Sequence, residues 1–243
     1  MPAIMNNSEQ GSAAEWLVLA VDTCGPAGSV ALARLDGDLV EILGQIELEG
    51  RSYSATLVAA VAELLARAGM QVSRLHAIVA VNGPGSFTGV RVGLSAVKGL
   101  AEAARTPVTA ISRLEVLAWK AGAESSALDA HRHEIFLRLG LAAGKARELL
   151  AGAEELKALQ PAEPRIAVCD EGAGRLLESA WPSVELVKTD APAAADALRL
   201  CAARVGAGEF QDLALLDGHY LRRPDAEIFA AQIFGEVVKV RGA

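Results

Sequence analysis

Two stretches of the chain carry residue types suited to phosphate and metal chemistry. Asp22 and Thr23 follow the apolar run Trp16 to Val21, and Gly83, Gly85, Ser86 and Thr88 follow the apolar run Ala77 to Val81. A carboxylate at a strand end suits Mg²⁺. A glycine-rich turn that opens a helix presents unpaired N–H groups to an anion. Together the six residues read as a phosphate loop with its metal carboxylate. The local alternative is that Asp22 and Thr23 cap a turn through their side chains, and that the glycines shape a strand-to-helix corner. The loop lacks the Gly-Lys-Ser/Thr of a Walker motif and the Rossmann spacing. Arg91 stands in the first turns of the following helix, where a cation opposes the helix dipole. That gives it a reason to pair, either with a phosphate or with a neighbouring acid.

Other reactive types are sparse. His131 and His133 sit in a turn with no third ligand in view, so a solvated turn outweighs a metal pair and no metal site is assigned. Cys24, Cys169 and Cys201 are far apart and odd in number, which fits neither a disulfide framework nor zinc spacing and suits a reduced, cytoplasmic protein. No Ser/His/Asp or Cys/His arrangement stands out.

The elements that must position these residues follow from periodicity. Trp16 to Val21, Ser29 to Leu35 and Leu39 to Leu48 read as strands, the last two joined by a turn at Asp36-Gly37-Asp38. Leu57, Val58, Val61, Leu64, Leu65 and Ala68 fall on one face of a helix over 54–69, which Gly69 ends. Ile78 to Val81 is a buried strand, and a helix runs from about Thr88 to Arg105. Its residues Gly89, Val90, Gly93, Val97 and Leu100 form a stripe of small and apolar groups. Glycine inside a helix costs about 1 kcal/mol against alanine, so the stripe implies close packing, against the sheet or against a second chain. Strands at Val108 to Ile111, Ala123 to Asp129 and Ile135 to Leu141 follow. A Glu-rich stretch over 152–163 reads as variable. Arg165 to Cys169 is a strand, Asp170 to Gly174 a turn, and helices run to Ala180 and over 192–206. The second half partly echoes the first.

The chain has 243 residues and a formal net charge of −7. An acidic chain gains little from counterion release, so solitary binding to nucleic acid is disfavoured. The apolar runs are strand-length, well short of the ~20 residues of a membrane helix. Met1 to Ala14 reads as a disordered leader with no signal-peptide pattern.

Four stretches, Leu19 to Thr23, Asn82 to Leu94, Leu128 to Phe136 and Tyr220 to Arg222, resemble the TsaB (YeaZ) family in type, order and spacing, over essentially the whole chain from Trp16. The resemblance implies an actin/Hsp70-like (ASKHA) α/β fold of two related subdomains, here 15–110 and 111–243, with the tail from about residue 219 returning to the first. It implies a non-catalytic subunit that pairs with the transferase TsaD and is joined by the ATPase TsaE. The product is N6-threonylcarbamoyladenosine at position 37 of tRNAs reading ANN codons, with tRNA met only through the complex and a homodimer formed when the partner is absent. TsaD-like sequences carry His-x-Glu-x-His after the glycine loop. The matching stretch here is Arg113-Leu114-Glu115-Val116-Leu117, which has lost both imidazoles. On this reading the chain has no cofactor of its own, any nucleotide belongs to the partner interface, and the phosphate-loop residues are vestigial. The interface is formed by Leu57, Val61, Leu64, Gly89, Val90, Gly93, Val97 and Leu100, and a charge at Gly93 abolishes pairing. The alternative is an active ATP-binding or metal-dependent, glycoprotease-like enzyme of the same fold. Tyr53, where the family often has His, and the turn at His131-Arg132-His133-Glu134, where it has Ala-Arg-Arg/Met-Gly-Glu, depart from the pattern.

Overall fold

A computed structural model describes residues 15–37, 39–49, 52–141 and 145–222. The expected leader Met1 to Ala14, Asp38 of the first turn, and the chain from Arg223 onward lie outside these residues.

The first sheet is built from β1 (Trp16–Asp22), β2 (Ala27–Asp36), β3 (Leu39–Glu49), β4 (Ala77–Val81) and β5 (Val108–Ile111), in the order β3-β2-β1-β4-β5. The strand β1 pairs antiparallel with β2 and parallel with β4. β1, β2 and β4 are nearly continuous apolar runs because both of their faces are covered. β3 lies at the edge and is only partly buried. Between β3 and β4 runs α1 (Tyr53–Arg67), and between β4 and β5 runs α2 (Phe87–Ala104).

The second sheet repeats this plan. It contains β6 (Ser125–Asp129), β7 (Glu134–Gly140), β8 (Ala146–Gly152), β9 (Arg165–Val168) and β10 (Glu185–Lys188), in the order β8-β7-β6-β9-β10. Again the first strand pairs antiparallel with the second and parallel with the fourth. The helix α4 (Ala153–Ala158) lies between β8 and β9, and α5 (Glu171–Ala180) between β9 and β10. Period-two alternation divides the strands between two cores. Ile135, Leu137, Ile166 and Val168 face one side with Leu156 and Leu177. Leu128, Phe136 and Ala167 face the other with Leu114 and Leu117.

The remaining helices are exchanged between the halves. α3 (Arg113–Lys120) follows the first half in sequence but packs on β6, β7 and β9, whereas α6 (Ala194–Gly206) follows the second half and packs on β1, β2, β3 and β4. The amides of Ala194 and Ala195 donate to Ser29 Oγ (2.8 Å) and Gln45 Oε1 (3.0 Å), which satisfies N–H groups that a helix start leaves open.

Two compact units result. One contains the described part of Met1–Val81 with Val92–Ala110 and Ala193–Leu216; the other contains Asn82–Arg91, Ile111–Pro192 and the described residues from Asp217. This corrects the expected domain plan. The segment that returns to the first unit is the one bearing α6, whose Leu198, Cys201 and Val205 are buried, while Asp217 to Arg222 stay with the second. Further corrections fall in the second half. α4 begins the stretch read as variable, and α3, β8 and β10 are elements where none was read. The supposed turn at Asp170 to Gly174 is the start of α5, capped by Asp170 Oδ1 on the Ala173 amide at 2.8 Å. Among the described residues, no helix is long and apolar enough to cross a membrane.

Candidate functional site

The glycine stretch is held from both sides within the second unit. The Asn82 amide donates to Ile111 O (3.0 Å), and the Gly83 carbonyl accepts from the Arg113 amide at the start of α3 (2.6 Å). The Asn82 carbonyl accepts from the His219 amide (2.7 Å), and Asn82 Nδ2 donates to Asp217 O. Gly83 has φ +115°, and a Cβ there would stand 3.0 Å from the His219 carbonyl. Glycine is therefore required both by the backbone angle and by the close approach of another strand of chain. Ser86 Oγ accepts from the Gly89 amide (3.3 Å) and thus caps α2. The backbone of this stretch is engaged in a structural corner.

Asp22 and Thr23 lie in the first unit, Gly83 to Thr88 in the second, and each group has its own local role. Asp22 is buried, and its Oδ1 accepts from the Cys24 amide at 2.8 Å, the turn-capping arrangement. The Cys24 thiol donates to Val81 O at 3.2 Å. Tyr53, also buried, donates through its hydroxyl to Gly25 O at 2.8 Å and so holds the same turn. Thr23 Oγ1 would be 2.2 Å from a Cβ at Gly93, so this glycine admits the Thr23 hydroxyl against α2.

That contact corrects the expected partner face. Leu57, Val61, Leu64, Val90 and Val97 are buried within the chain itself, as are Gly89 and Gly93, and Leu100 is half-buried. An apolar helix stripe gains about 25 cal/mol per Å² by burial, and the nearest surface to bury is the chain's own core. The buried side of α1 lies on β2 and β3. The exposed side carries Ala55, Val58, Ala59, Ala62 and Ala66, with Val58 60% exposed. Their spacing places them on one helical face.

In the second unit, Arg113 and Leu117 occupy α3 as buried groups, Leu117 within the core. Neither side chain is a metal ligand of any ordinary kind. Ser112 caps α3 through its Oγ on the Leu114 amide and also donates to Glu148 Oε2 at 2.7 Å. His219 Nε2 lies 2.8 Å from the same oxygen, and Arg138 Nη1 donates to Oε1 at 2.7 Å. Burial alone would raise the Glu148 carboxyl; hydrogen bonds from His219, Ser112 and Arg138 outweigh it and hold the pKa below the ordinary value. Sequence reading missed this cluster. Its Ser and His both bond the carboxylate, and the serine proton points at Glu148, so it is a clamp on the chain at His219 and lacks the order of a nucleophilic triad.

The turn between β6 and β7 departs from ordinary backbone. His131, Arg132 and His133 have φ of 60°, 56° and 61°, a left-handed conformation that is unfavourable for side chains with a Cβ. Arg222 secures it, donating from Nη1 to Ala130 O at 2.8 Å and pairing with Glu134. The Asp129 carboxylate accepts from the His131 amide. The stretches Leu128 to Phe136 and Tyr220 to Arg222 are thus parts of one local structure. Both imidazoles are exposed, and among the described residues no group of three or more His, Cys, Asp and Glu could hold a metal ion. His133→Gly is expected to raise stability by about 0.5–1 kcal/mol by relieving a left-handed residue. A lower urea midpoint for the variant would contradict that account.

A cleft of about 430 Å³ lies at the ends of β9 and β10, lined in part by Cys169, Asp170, Arg175 and Lys188. Two of its charged groups, Asp170 and Arg175, are engaged within the unit. Asp170 Oδ2 accepts from the Asp129 amide while Oδ1 caps α5, and Arg175 pairs with Glu171. Burial pushes the Cys169 thiol up to about 11, so it is not a ready nucleophile.

Two sheets of identical strand order, each with a three-stranded antiparallel meander and a parallel crossover, define an α/β protein of the actin/Hsp70-like class with two related subdomains. A profile of the TsaD family, described as tRNA N6-adenosine threonylcarbamoyltransferase, matches residues 44–158. The tRNA threonylcarbamoyladenosine biosynthesis protein TsaB of Bacillus subtilis is 34% identical over 126 residues, 50% of this chain and 54% of that protein. The chain spans about half the length of the curated relatives it matches. Two Pseudomonas aeruginosa structures, each 31% identical, are covered over 100% of their length by 85% of this chain. One is YeaZ, with a TM-score of 0.68, and the other a protein described as similar to peptidase YeaZ, with 0.70. The chain belongs to the TsaB (YeaZ) family.

Proposed function

We propose that the chain is a non-catalytic partner subunit in the formation of N6-threonylcarbamoyladenosine at position 37 of tRNAs reading ANN codons. It pairs with a TsaD-type transferase, recruits a TsaE-type ATPase, and meets tRNA through that complex in the cytoplasm. Family membership supports the pathway. The observation that carries the non-catalytic role is α3, where buried Arg113 and Leu117 stand at the positions that the resemblance aligns with the two metal-binding histidines. We assign no resident cofactor to the chain and place any nucleotide at the partner interface.

The partner face is the exposed side of α1, centred on Val58, in place of the buried residues expected from sequence. An apolar stripe at helical spacing on a soluble surface suits a partner helix. The test is size-exclusion chromatography of the chain mixed with the transferase of the same organism. A stable complex is expected for the native chain and its loss for Val58→Glu, whose side chain is already solvent-facing in the free protein. Absence of any complex with the native chain would overturn the proposal. So would sustained Mg²⁺-dependent hydrolysis of ATP to ADP and phosphate by the isolated chain, which would favour the enzymatic alternative.

A further inference from the structure

Arg91 lies over an aromatic ring and, like Arg147, joins none of the ion pairs among the described residues of its unit. Its guanidinium carbon lies 3.8 Å from the centroid of the Phe87 ring, and Phe87 in turn packs against Tyr220 with ring centroids 5.2 Å apart. Arg138, Arg165, Arg175 and Arg222 each have a carboxylate partner. Among the described residues, no hydrogen bond or ion pair engages the Arg91 guanidinium. The guanidinium rests over the ring while its N–H donors remain available, and Arg91 and Phe87 are both exposed. This placement removes much of the rotational freedom that an arginine otherwise loses on binding.

The position selects the sign and class of the ligand. A cation in the first turns of a helix is unfavourable against the dipole of α2. An anion bound to it would gain both from the guanidinium and from the positive end of the helix. The chain's net charge of −7 opposes a polyanion such as an RNA backbone but not a single carboxylate. An arginine beside two aromatic rings is also the composition of an interface hot spot.

We infer that Arg91, held over the Phe87 ring with Tyr220 behind it, is an arginine anchor for a partner protein, taking an aspartate or glutamate carboxylate in a bidentate pair. The inference rests on the proposed partnership with a TsaD-type transferase and identifies a second contact for it, carried by the second unit where α1 belongs to the first. Arg91 acts on the partner directly; Phe87 and Tyr220 are positioning residues.

The experiment is titration calorimetry of the full chain with the purified transferase at low and high salt. Arg91→Ala is expected to weaken binding about tenfold or more and to remove much of the salt dependence. Arg91→Lys is expected to recover only part of the loss, because it keeps the charge but lacks the planar fork. Phe87→Leu is expected to weaken binding by releasing the guanidinium. Melting curves of these surface variants should match the native chain. If the native chain binds and Arg91→Ala binds within about twofold of it, the inference fails while the proposed function stands. If the native chain does not bind, the proposed function fails instead. If Arg91→Ala leaves transferase binding intact but weakens tRNA binding by the assembled complex, the ligand is a phosphate and the carboxylate assignment is wrong.

Discussion

Glu148→Ala is expected to destabilise the protein by about 2–3 kcal/mol, toward the low side of the loss on breaking a buried ion pair, because His219 is partly exposed. The variant leaves Arg138, whose Nε has no partner among the described residues, without its carboxylate. It also frees His219 and the Ser112 hydroxyl. The loss should appear in denaturant midpoints and as faster hydrogen exchange at the His219 amide, which donates to Asn82 O. Acid provides an independent check. The folded carboxyl is held below its ordinary 4.5, so its stabilisation is complete above that value and is lost as pH falls through the lower folded one. The stability difference between native chain and variant should therefore be constant near neutrality and shrink on acidification below about pH 4.5. A difference that is unchanged down to pH 3 would mean that the clamp carries no weight.

Gly93→Ala is expected to cost about 1–3 kcal/mol, although alanine is the better helix former by about 1 kcal/mol. The added methyl would lie 2.2 Å from Thr23 Oγ1, and Thr23 is buried and bonded and cannot simply move aside. Removing the hydroxyl should reverse the sign. In a Thr23→Ala background, Gly93→Ala should be neutral or stabilising, so the double-mutant cycle should show strong coupling. Equal costs in both backgrounds would exclude this contact as the reason for the glycine. The same geometry explains why a charge at Gly93 is a poor probe of pairing: it would disrupt the core before it reached a partner.

Much of the fold is legible in the sequence, for reasons specific to its elements. β1, β2 and β4 are long apolar runs bounded by turn residues, and α1 and α2 carry a clear helical period. The missed elements are short or ambiguous. β10 has four residues, and α3 has eight with charges at both ends. Arg147 to Leu150 of β8 is made of good helix formers, and pairing with β7 overrides that preference. In α5 the glycines Gly172 and Gly174 mimic a turn, but Asp170 caps a helix through them. The glycine loop was legible as a corner, whereas the direction of its helix stripe was not. A stripe of small and apolar residues has the same spacing whether it faces its own core or a partner, and only the fold decides. The Glu148 clamp left no local signal, because Ser112, Arg138 and His219 reach it from distant parts of the chain.

The exchange of α3 and α6 bears on the order in which the molecule can assemble. The strands of the first sheet are complete once Ile111 has been made, yet the helix that covers β1, β2 and β4 arrives only with residues 194–206. Until then Val18, Ala20 and Ala31, all fully buried in the finished protein, lie on the uncovered side of the sheet, the side from which Ser29 meets α6. The second sheet differs, since α3 precedes its strands and is ready to receive them. The second unit nevertheless waits for a late segment too, because Asp217 to Arg222 bring the His219 and Arg222 contacts to Asn82, Glu148 and Ala130. No contiguous stretch of the chain matches either unit, so each closes only through contacts between segments distant in sequence.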